Sequence, residues 1–376
     1  MEKPKRRHDL DWLRVLLILS VFLYHCARFF TQWDWHVKDS VVSPGMVVFT
    51  QFFEMWILPA IFIVSGASIW YSLGYQKSGR LIKGKVLRLL VPLVFGAFVL
   101  SPHQVYLERL THGQFVGSFI NWFPRYFNGL YGLGGNFAFH GLHLWYLMLL
   151  FFFTLILLPL FQVLRSEKGM TVIRAVGSFL RIPGTIYILG LLLTIPMAYI
   201  DENSFFGMRV WAGWNIVYYI IIFFFGFLIF SDERIQEAIV RVRYISLIAG
   251  IILLITFRLG ITVLSSPLKP GLYNYVISSW CFILAILGFG MMHLTSTGRF
   301  LGYATEAVLP FYMLHQAVIV LIGFWIIRLQ IPVLAKYVII TLLSFIAIMV
   351  SYEVIRRVGV LRFLFGMKVR KSTAKI

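Results

Sequence analysis

Charged residues are scarce in this chain. Only 13% of its 376 residues are Asp, Glu, Lys or Arg, whereas 60% are hydrophobic. Because soluble domains are about one quarter charged, this composition leaves little room for a soluble domain. The sequence therefore predicts an all-α, polytopic membrane protein that forms a single domain over residues 1–376.

The chain also lacks the residue patterns of a disulfide framework or a metal site. Its two cysteines, Cys26 and Cys281, both lie inside apolar runs. The nine histidines show no metal-ligand spacing, and there is no phosphate-binding loop and no Gly-x-Ser-x-Gly turn. We therefore expect no structural disulfide, no metal and no bound cofactor.

Acidic residues are fewer than half as numerous as basic ones, with 15 Asp and Glu against 34 Lys and Arg. A net charge of +19 can indicate nucleic-acid binding. Here, however, the basic residues lie in short segments between apolar runs, which is the positive-inside pattern of membrane proteins. The charge thus predicts a lipid bilayer as a partner and no nucleic acid.

Ten apolar stretches are long enough to cross a bilayer, which takes about 20 residues. Inner segments are rich in Lys and Arg and outer segments are poorer, if the N-terminus is cytoplasmic. This pattern predicts ten transmembrane helices, both termini in the cytoplasm and a basic tail over 357–376. No small-residue cleavage site follows the basic start, so we expect the first helix to be retained. The predicted helices are 12–30, 47–73, 86–106, 142–164, 183–200, 211–230, 244–264, 271–294, 304–328 and 333–356.

The first predicted helix contains two ionisable residues, Arg14 and His25. Eleven residues make about three α-helical turns, so both side chains point the same way and lie about 16 Å apart along the axis. Burying the arginine alone costs on the order of 3 kcal/mol, so intramembrane charges are functional candidates by default. The alternative is a snorkelling arginine and a packed histidine. Asp11, three residues before Arg14, lies on nearly the same face and is a candidate to orient the guanidinium.

The second and third helices add four candidates. Ser65 precedes a glycine, a step that lets a neighbouring helix approach closely, although plain packing is the more common reason for such a step. Glu54 is an uncommon acid in the same helix, or it reaches water at the outer end. Lys85 and Arg88 lie three residues apart at the cytoplasmic edge. They fit either anionic lipid or the phosphates of a nucleotide-like donor.

Two later histidines are also candidates. His143 opens the fourth helix beside Trp145, and His315 lies in the ninth. A lone histidine is more often a hydrogen-bonded core residue than a catalyst, and the sequence leaves both readings open. The outward segment over about 107–141 contains clustered aromatics and glycines. It is either an interfacial anchor or a lid over an outward-facing pocket that binds sugar rings.

Several of these motifs resemble acyltransferase family 3 when they are taken in order along nearly the whole chain. Each motif alone is weak evidence of the family, but five motifs in the expected order and at matching helix positions are strong evidence. They are Leu10-Asp11-Trp12-Leu13-Arg14 with His25, Phe62-x-x-Ser65-Gly66, Lys85-x-x-Arg88, His143-Leu144-Trp145-Tyr146-Leu147 and Tyr312-x-Leu314-His315. Both ends look most similar to the succinyl-transferring, glucan-biosynthesis branch. The similarity lies in Tyr24-His25 at the front and in Tyr352-Glu353 and Leu361-Arg362-Phe363-Leu364-Phe365-Gly366 near the tail. The first basic position is usually arginine in the family, and Lys85 retains the charge but not the bidentate geometry.

The resemblance implies an integral-membrane O-acyltransferase of the bacterial inner membrane. It implies cytoplasmic acyl-coenzyme A as co-substrate and an extracytoplasmic glycan hydroxyl as acceptor. His25 is then expected to take the hydroxyl proton and Arg14 to hold the donor. Lys85 and Arg88 would bind the donor, and Asp11, Glu54, Ser65, His143, Trp145 and His315 would support the pocket. Oxyanion donors could come from Trp145, His143 or Ser65.

The sequence leaves some alternatives open. A glycan transporter or flippase fits ten spans with buried charges, although no inverted repeat is found. A catalytically inactive relative is a third reading. The sequence does not distinguish an acetyl donor from a succinyl donor. A succinyl group would require one extra cation in the pocket, and the candidates for it are Arg258, Arg28 and Lys38.

Overall fold

The computed structural model describes residues 6–201, 204, 206, 215–261 and 271–368. The start of predicted helix 211–230, the end of predicted helix 244–264 and the tail after residue 368 lie outside the described residues. Within the described part the chain is helical, with only isolated β-bridges. The predicted all-α class is therefore confirmed.

Fourteen helices are numbered here in chain order. They are α1 His8–Ala27, α2 Pro44–Tyr75, α3 Ser78–Leu100, α4 Pro102–Thr111, α5 Phe119–Trp122, α6 Trp145–Leu164, α7 Glu167–Leu180, α8 Ile188–Tyr199, α9 Ile216–Ser231, α10 Glu233–Arg258, α11 Leu272–His293, α12 Arg299–Ile326, α13 Val333–Ile355 and α14 Gly359–Leu364.

The described residues contain seven helices long and apolar enough to span a membrane, or up to nine if each of two bent pairs is one span. The helix α9, predicted as a full span, has an apolar but short described part. The ten predicted spans thus correspond to seven clear spans, two bent pairs and one short helix. Membrane-spanning helices are confirmed, while their number is best given as seven to nine.

The two bent pairs explain where the predicted boundaries differ. Helices α3 and α4 meet at an angle of 41°, where Pro102 begins α4 and removes a backbone donor. Helices α7 and α8 meet at 115°, across a turn that contains Gly184 with φ +87°. Helix α7 was not predicted, because its charged side chains look like those of a connecting segment.

The predicted basic tail begins with folded structure. Helix α14 follows α13 closely, and Arg362 within it is buried. Its guanidinium donates to the Glu306 carboxylate at 2.9 Å and to the Lys368 carbonyl at 2.7 Å. The described part of the tail is therefore held against the start of α12.

The chain divides into two compact units, and each is described by itself. Unit 1 comprises Met1–Leu17, Glu54–Ile82 and Phe152–Gly302. Within it, α2 and α9 pack backbone against backbone. A Cβ atom on Gly66 would lie 2.0 Å from the Phe223 carbonyl oxygen, and one on Gly226 would lie 2.1 Å from the Ile63 carbonyl oxygen. Only glycine permits this approach.

Unit 2 comprises Ile18–Phe53, Lys83–Phe151 and Tyr303–Ile376. A buried ion pair joins Lys336 of α13 to Asp39, with Nζ 2.6 Å from Oδ2. Aromatic rings fill the space between α1 and α12, where the Phe22 and Phe311 ring centroids lie 5.4 Å apart.

The segment over about 107–141, which the sequence predicts to face outward, forms a folded cap of unit 2 with its own small core. Trp122 and Tyr126, which could have stacked on sugars, are buried instead. The Tyr126 hydroxyl donates to the Ala97 carbonyl at 2.6 Å, and burial raises the pKa of this phenol to about 12. The cap is thereby fixed to the end of α3.

Candidate functional site

Helix α1 carries both predicted catalytic residues. It is continuous from His8 to Ala27, so the spacing of Arg14 and His25 is that of a regular α-helix. The axial separation is about 16 Å, as the sequence predicts. The division between the units falls within this helix, after Leu17, so that Arg14 belongs to unit 1 and His25 to unit 2.

In unit 1, Arg14 is held by two side chains. Nη1 lies 3.3 Å from Asp11 Oδ1, and Nη2 donates to Ser68 Oγ at 2.9 Å. Arg6 binds the other Asp11 oxygen at 2.7 Å. Asp11 thus has the contact that an orienting role requires. Sequence reasoning missed Ser68, which follows Ser65 by almost one helical turn and presents a hydroxyl on the same helix.

In unit 2, three predicted histidines from three parts of the sequence come together. His315 Nε2 lies 3.0 Å from His25 Nδ1. The His315 ring centroid lies 5.0 Å from that of His25 and 4.8 Å from that of His143. His315 and His143 are buried, whereas His25 is half-buried and so retains some access.

The hydrogen-bond partners of His315 and His25 indicate which nitrogen of each ring carries a hydrogen atom. His315 Nδ1 lies 2.5 Å from the Tyr312 carbonyl oxygen, which can only accept, so Nδ1 carries the hydrogen. Neutral His315 therefore accepts at Nε2, and His25 donates from Nδ1. This leaves Nε2 of His25 with a free lone pair, the state that a general base needs.

The ring of His143 is fixed in the same way. Its Nε2 lies 3.0 Å from the Met313 carbonyl oxygen and must donate to it. The Tyr312 hydroxyl also donates to the His143 carbonyl oxygen. The remaining nitrogen, Nδ1, is buried and has no hydrogen-bond partner among the described residues. Neutral His143 thus offers an acceptor, which is opposite to the oxyanion-donor role suggested by the sequence.

The backbone that presents His143 is strained. Leu142, immediately before it, has φ +54°, and Gly141 has φ +68°. A left-handed conformation costs a non-glycine residue roughly 1–2 kcal/mol, and such strain is concentrated at functional sites.

Sequence reasoning missed Trp35 beside His25, and it offered Arg28 only as one of three cations for a charged acyl group. The Trp35 ring stacks on His25 with centroids 5.3 Å apart, and its Nε1 is buried without a partner among the described residues. The Arg28 guanidinium lies 5.4 Å from the Trp35 ring centroid. The available signal was the aromatic cluster directly after the first helix.

A second polar network supports this group of residues. Gln316, next to His315, donates to His36 Nε2 at 2.9 Å, so that His36 donates from Nδ1 to Glu108. The Tyr131 hydroxyl also donates to Glu108, at 2.8 Å, and burial raises the pKa of this phenol. The network connects α12 to α4 and to the cap and fixes the position of His315.

The remaining predicted residues are divided between the two units. Glu54, Ser65 and Trp145 are half-buried, the first two in unit 1 and the last beside His143. Lys85 is half-buried and Arg88 exposed. The prediction that these two cations share a face assumed a regular α-helix, but Val86–Leu90 is π-helical, a form often found at functional sites.

The family model of an acyltransferase domain, acyltransferase family 3, matches residues 7–353. The chain belongs to acyltransferase family 3. No curated protein and no solved structure matches it. This acyltransferase is therefore an enzyme of the membrane, with an acyl donor and an acceptor as its substrates. Among its described residues, no group of three or more His, Cys, Asp or Glu side chains is arranged to hold a metal ion.

Proposed function

We propose that this membrane acyltransferase transfers an acyl group from acyl-coenzyme A to a hydroxyl group of an extracytoplasmic glycan. One observation carries the proposal: Nε2 of His25 is an unprotonated nitrogen on a half-buried ring that His315 orients. A neutral imidazole is suited to remove a hydroxyl proton near pH 7.

The proposed reaction uses this arrangement in one transfer step. His25 Nε2 takes the proton as the acceptor oxygen attacks the thioester carbon. The new C–O ester bond forms, the C–S bond breaks, and the proton passes from His25 to the leaving thiolate. The products are an acylated glycan and free coenzyme A. General base catalysis of this kind contributes about 10²–10⁴-fold to the rate.

His315 is the positioning residue of this mechanism. It acts through the hydrogen bond from His25 and need not touch the substrate. A carboxylate has a related role in catalytic triads, where it holds the tautomer of the base and stabilises the charged ring that forms. His143 offers its free Nδ1 to the acceptor, so that one more hydroxyl group can be bound near His25.

The cationic residues are proposed to hold the donor. Arg14, fixed by Asp11 and Ser68, and the pair Lys85 and Arg88 would each bind a phosphate of coenzyme A. Lysine acts there as a point charge, so Lys85 would contribute affinity more than orientation. Glu54, Ser65 and Trp145 are proposed to support the pocket.

The acceptor class is proposed from the resemblance. The pattern at both chain ends is most similar to glucans biosynthesis protein C, which points to a periplasmic glucan and to the bacterial inner membrane. In the structure, Tyr352 donates to Glu306 at 3.3 Å, and Arg362 binds the same carboxylate. Both of these residues of the tail motif therefore contact one carboxylate within unit 2.

The test is transfer of an isotopically labelled acyl group by the purified chain in lipid vesicles, with the host glycans as acceptors. We expect thioester loss matched by label in a glycan fraction, identified by mass spectrometry. Glycan that crosses the vesicle membrane unmodified, with the thioester intact, would support the transporter instead.

A further inference from the structure

Buried polar atoms without partners are concentrated around His25. In the described part of unit 2 four such side-chain atoms occur, and three of them belong to Arg28, Trp35 and His143. The fourth is Ser344 Oγ. A buried polar group without a hydrogen bond is costly, so each is expected to meet a ligand or water.

Arg28 is the most unusual of these residues because it is a buried cation. Its exposed fraction is 7%, yet no carboxylate lies within ion-pair distance of it among the described residues. Nη2 donates to the Asp34 backbone carbonyl at 2.8 Å, and Nε has no partner in the part of the chain that the structure describes. A guanidinium carries five N–H donors, so capacity for another acceptor remains.

Aromatic rings hold this guanidinium in place without neutralising it. The Arg28 guanidinium carbon lies 5.9 Å from the Tyr24 ring centroid, 5.7 Å from that of Trp33 and 5.4 Å from that of Trp35. Ring faces attract a cation but accept no directed N–H bonds of ordinary strength. The charge is thus pre-positioned and still able to bind an anion.

The position of Arg28 places this charge beside the reacting group. Arg28 follows His25 by three residues, just after α1 ends, so both side chains share one side of the turn. The Trp35 ring contacts both of them, 5.3 Å from the His25 ring centroid. Its unpartnered Nε1–H adds a second donor at the same place.

We infer that Arg28 and Trp35 form a subsite for a carboxylate group carried by one of the two reactants. The inference rests on the proposed function, because it takes His25 as the place where donor and acceptor meet. The guanidinium fork matches a carboxylate in geometry as well as in charge. The carboxylate belongs either to a dicarboxylic acyl group or to an acidic sugar of the acceptor.

Of the three cations that the sequence offered for a charged acyl group, Arg28 is the one supported by the structure. Lys38 is bonded to the Gln32 carbonyl at 3.1 Å and lies at the surface. Arg258 ends α10 in unit 1, whereas Arg28 and His25 both belong to unit 2.

The experiment measures kcat/KM for matched substrate pairs with the full chain in lipid. The donor pair is succinyl- and butyryl-coenzyme A, which differ in the terminal carboxylate. The acceptor pair is a neutral glucan and a glucuronate-containing oligosaccharide. We expect a preference for the carboxylate in one pair, and Arg28→Gln should reduce kcat/KM for that reactant about 10- to 100-fold. The pair that responds identifies the source of the carboxylate.

Further variants separate binding from folding. Arg28→Lys should retain part of the preference because it keeps the charge, and Trp35→Phe should weaken it while retaining the ring. Lys38→Gln is the surface control and should behave as wild type. Two results would overturn the subsite. One is an equal loss of kcat/KM in Arg28→Gln for charged and uncharged reactants, and the other is no preference of wild type for the carboxylate in either substrate pair.

A binding measurement keeps the subsite distinct from the reaction itself. Free succinate and free glucuronate are used as probes of thermal stability, with butyramide and glucose as uncharged controls. Stabilisation of wild type but not of Arg28→Gln by a carboxylate supports the subsite even if no donor is turned over. Absence of turnover with every donor would contradict only the proposed function, whereas absence of carboxylate binding and preference would overturn the subsite.

Discussion

His315 accepts a hydrogen bond from His25, with Nε2 of the former 3.0 Å from Nδ1 of the latter. The Tyr312 carbonyl fixes the other nitrogen of His315 as a donor. A backbone oxygen on α12 therefore determines which nitrogen of His25 is basic. The proposed chemistry depends on this chain of two imidazoles as much as on His25 alone.

His315→Phe should lower kcat about 10- to 100-fold with little change in KM, because His25 remains present but is no longer oriented. His315→Gln should recover part of the loss, since its amide oxygen can accept from His25 Nδ1. Initial rates over a range of donor concentrations give both constants. Equal damage in the two variants would indicate that His315 acts only in packing.

His143→Phe should raise KM for the acceptor about tenfold, the effect of one lost hydrogen bond, while KM for the donor stays unchanged. The reason is that Nδ1 is buried without a hydrogen-bond partner among the described residues, and it is proposed to accept from a hydroxyl group of the acceptor. Acceptor titrations at saturating donor provide the measurement. A rise confined to donor KM would place His143 on the other substrate.

Gly66→Ala should destabilise unit 1 by about 1–3 kcal/mol, because the added Cβ would meet the Phe223 carbonyl oxygen at 2.0 Å. Gly302→Ala is the matched control in α12, where nothing lies within 4 Å. That change should be neutral or stabilising by up to about 1 kcal/mol. Thermal unfolding in detergent compares the two, and similar midpoints would refute the close approach of α2 and α9.

Acidification should destabilise the protein through His140, whose pKa burial lowers to about 4. The unfolded chain binds this proton below its ordinary pKa of 6.5, whereas the folded chain does so only near pH 4. The stability is therefore complete above pH 6.5 and is lost as the pH falls from 6.5 to 4, by on the order of 3 kcal/mol. Thermal midpoints across this range should fall less steeply for His140→Gln than for wild type. Equal slopes for the two proteins would contradict this role of His140.

Much of the fold could be predicted from the sequence because bilayer-spanning helices need long apolar runs. The runs at Pro44–Tyr75 and Val333–Ile355 lie within two or three residues of their predicted ends. The bends within the two bent helix pairs could not be predicted in this way. A π-helical stretch over Val86–Leu90 leaves no apolar or charged pattern of its own, and α7 mixes charged with apolar residues.

The candidate site, like the fold, could be predicted from the sequence only in part. His25, His143 and His315 were predicted because ionisable groups in apolar helices are rare and lie in recognisable motifs. Their tautomers could not be predicted, since backbone carbonyls of Tyr312 and Met313 set them. Arg28 was predicted only as one of three possible cations for a charged acyl group, and Trp35 was not predicted. Trp35 lies in irregular structure after α1, where helical periodicity does not indicate the direction of a side chain.

The assignment of His25 as the general base is tested by the release of free coenzyme A thiol. The release is measured for His25→Ala in lipid, with acyl-coenzyme A and acceptor present. Wild type and the surface control His112→Ala should release thiol in step with acceptor acylation. His25→Ala should be slower by at least about 10²-fold, the contribution of a general base. A fully folded His25→Ala protein that turns over at the wild-type rate would contradict the assignment of His25 as the base.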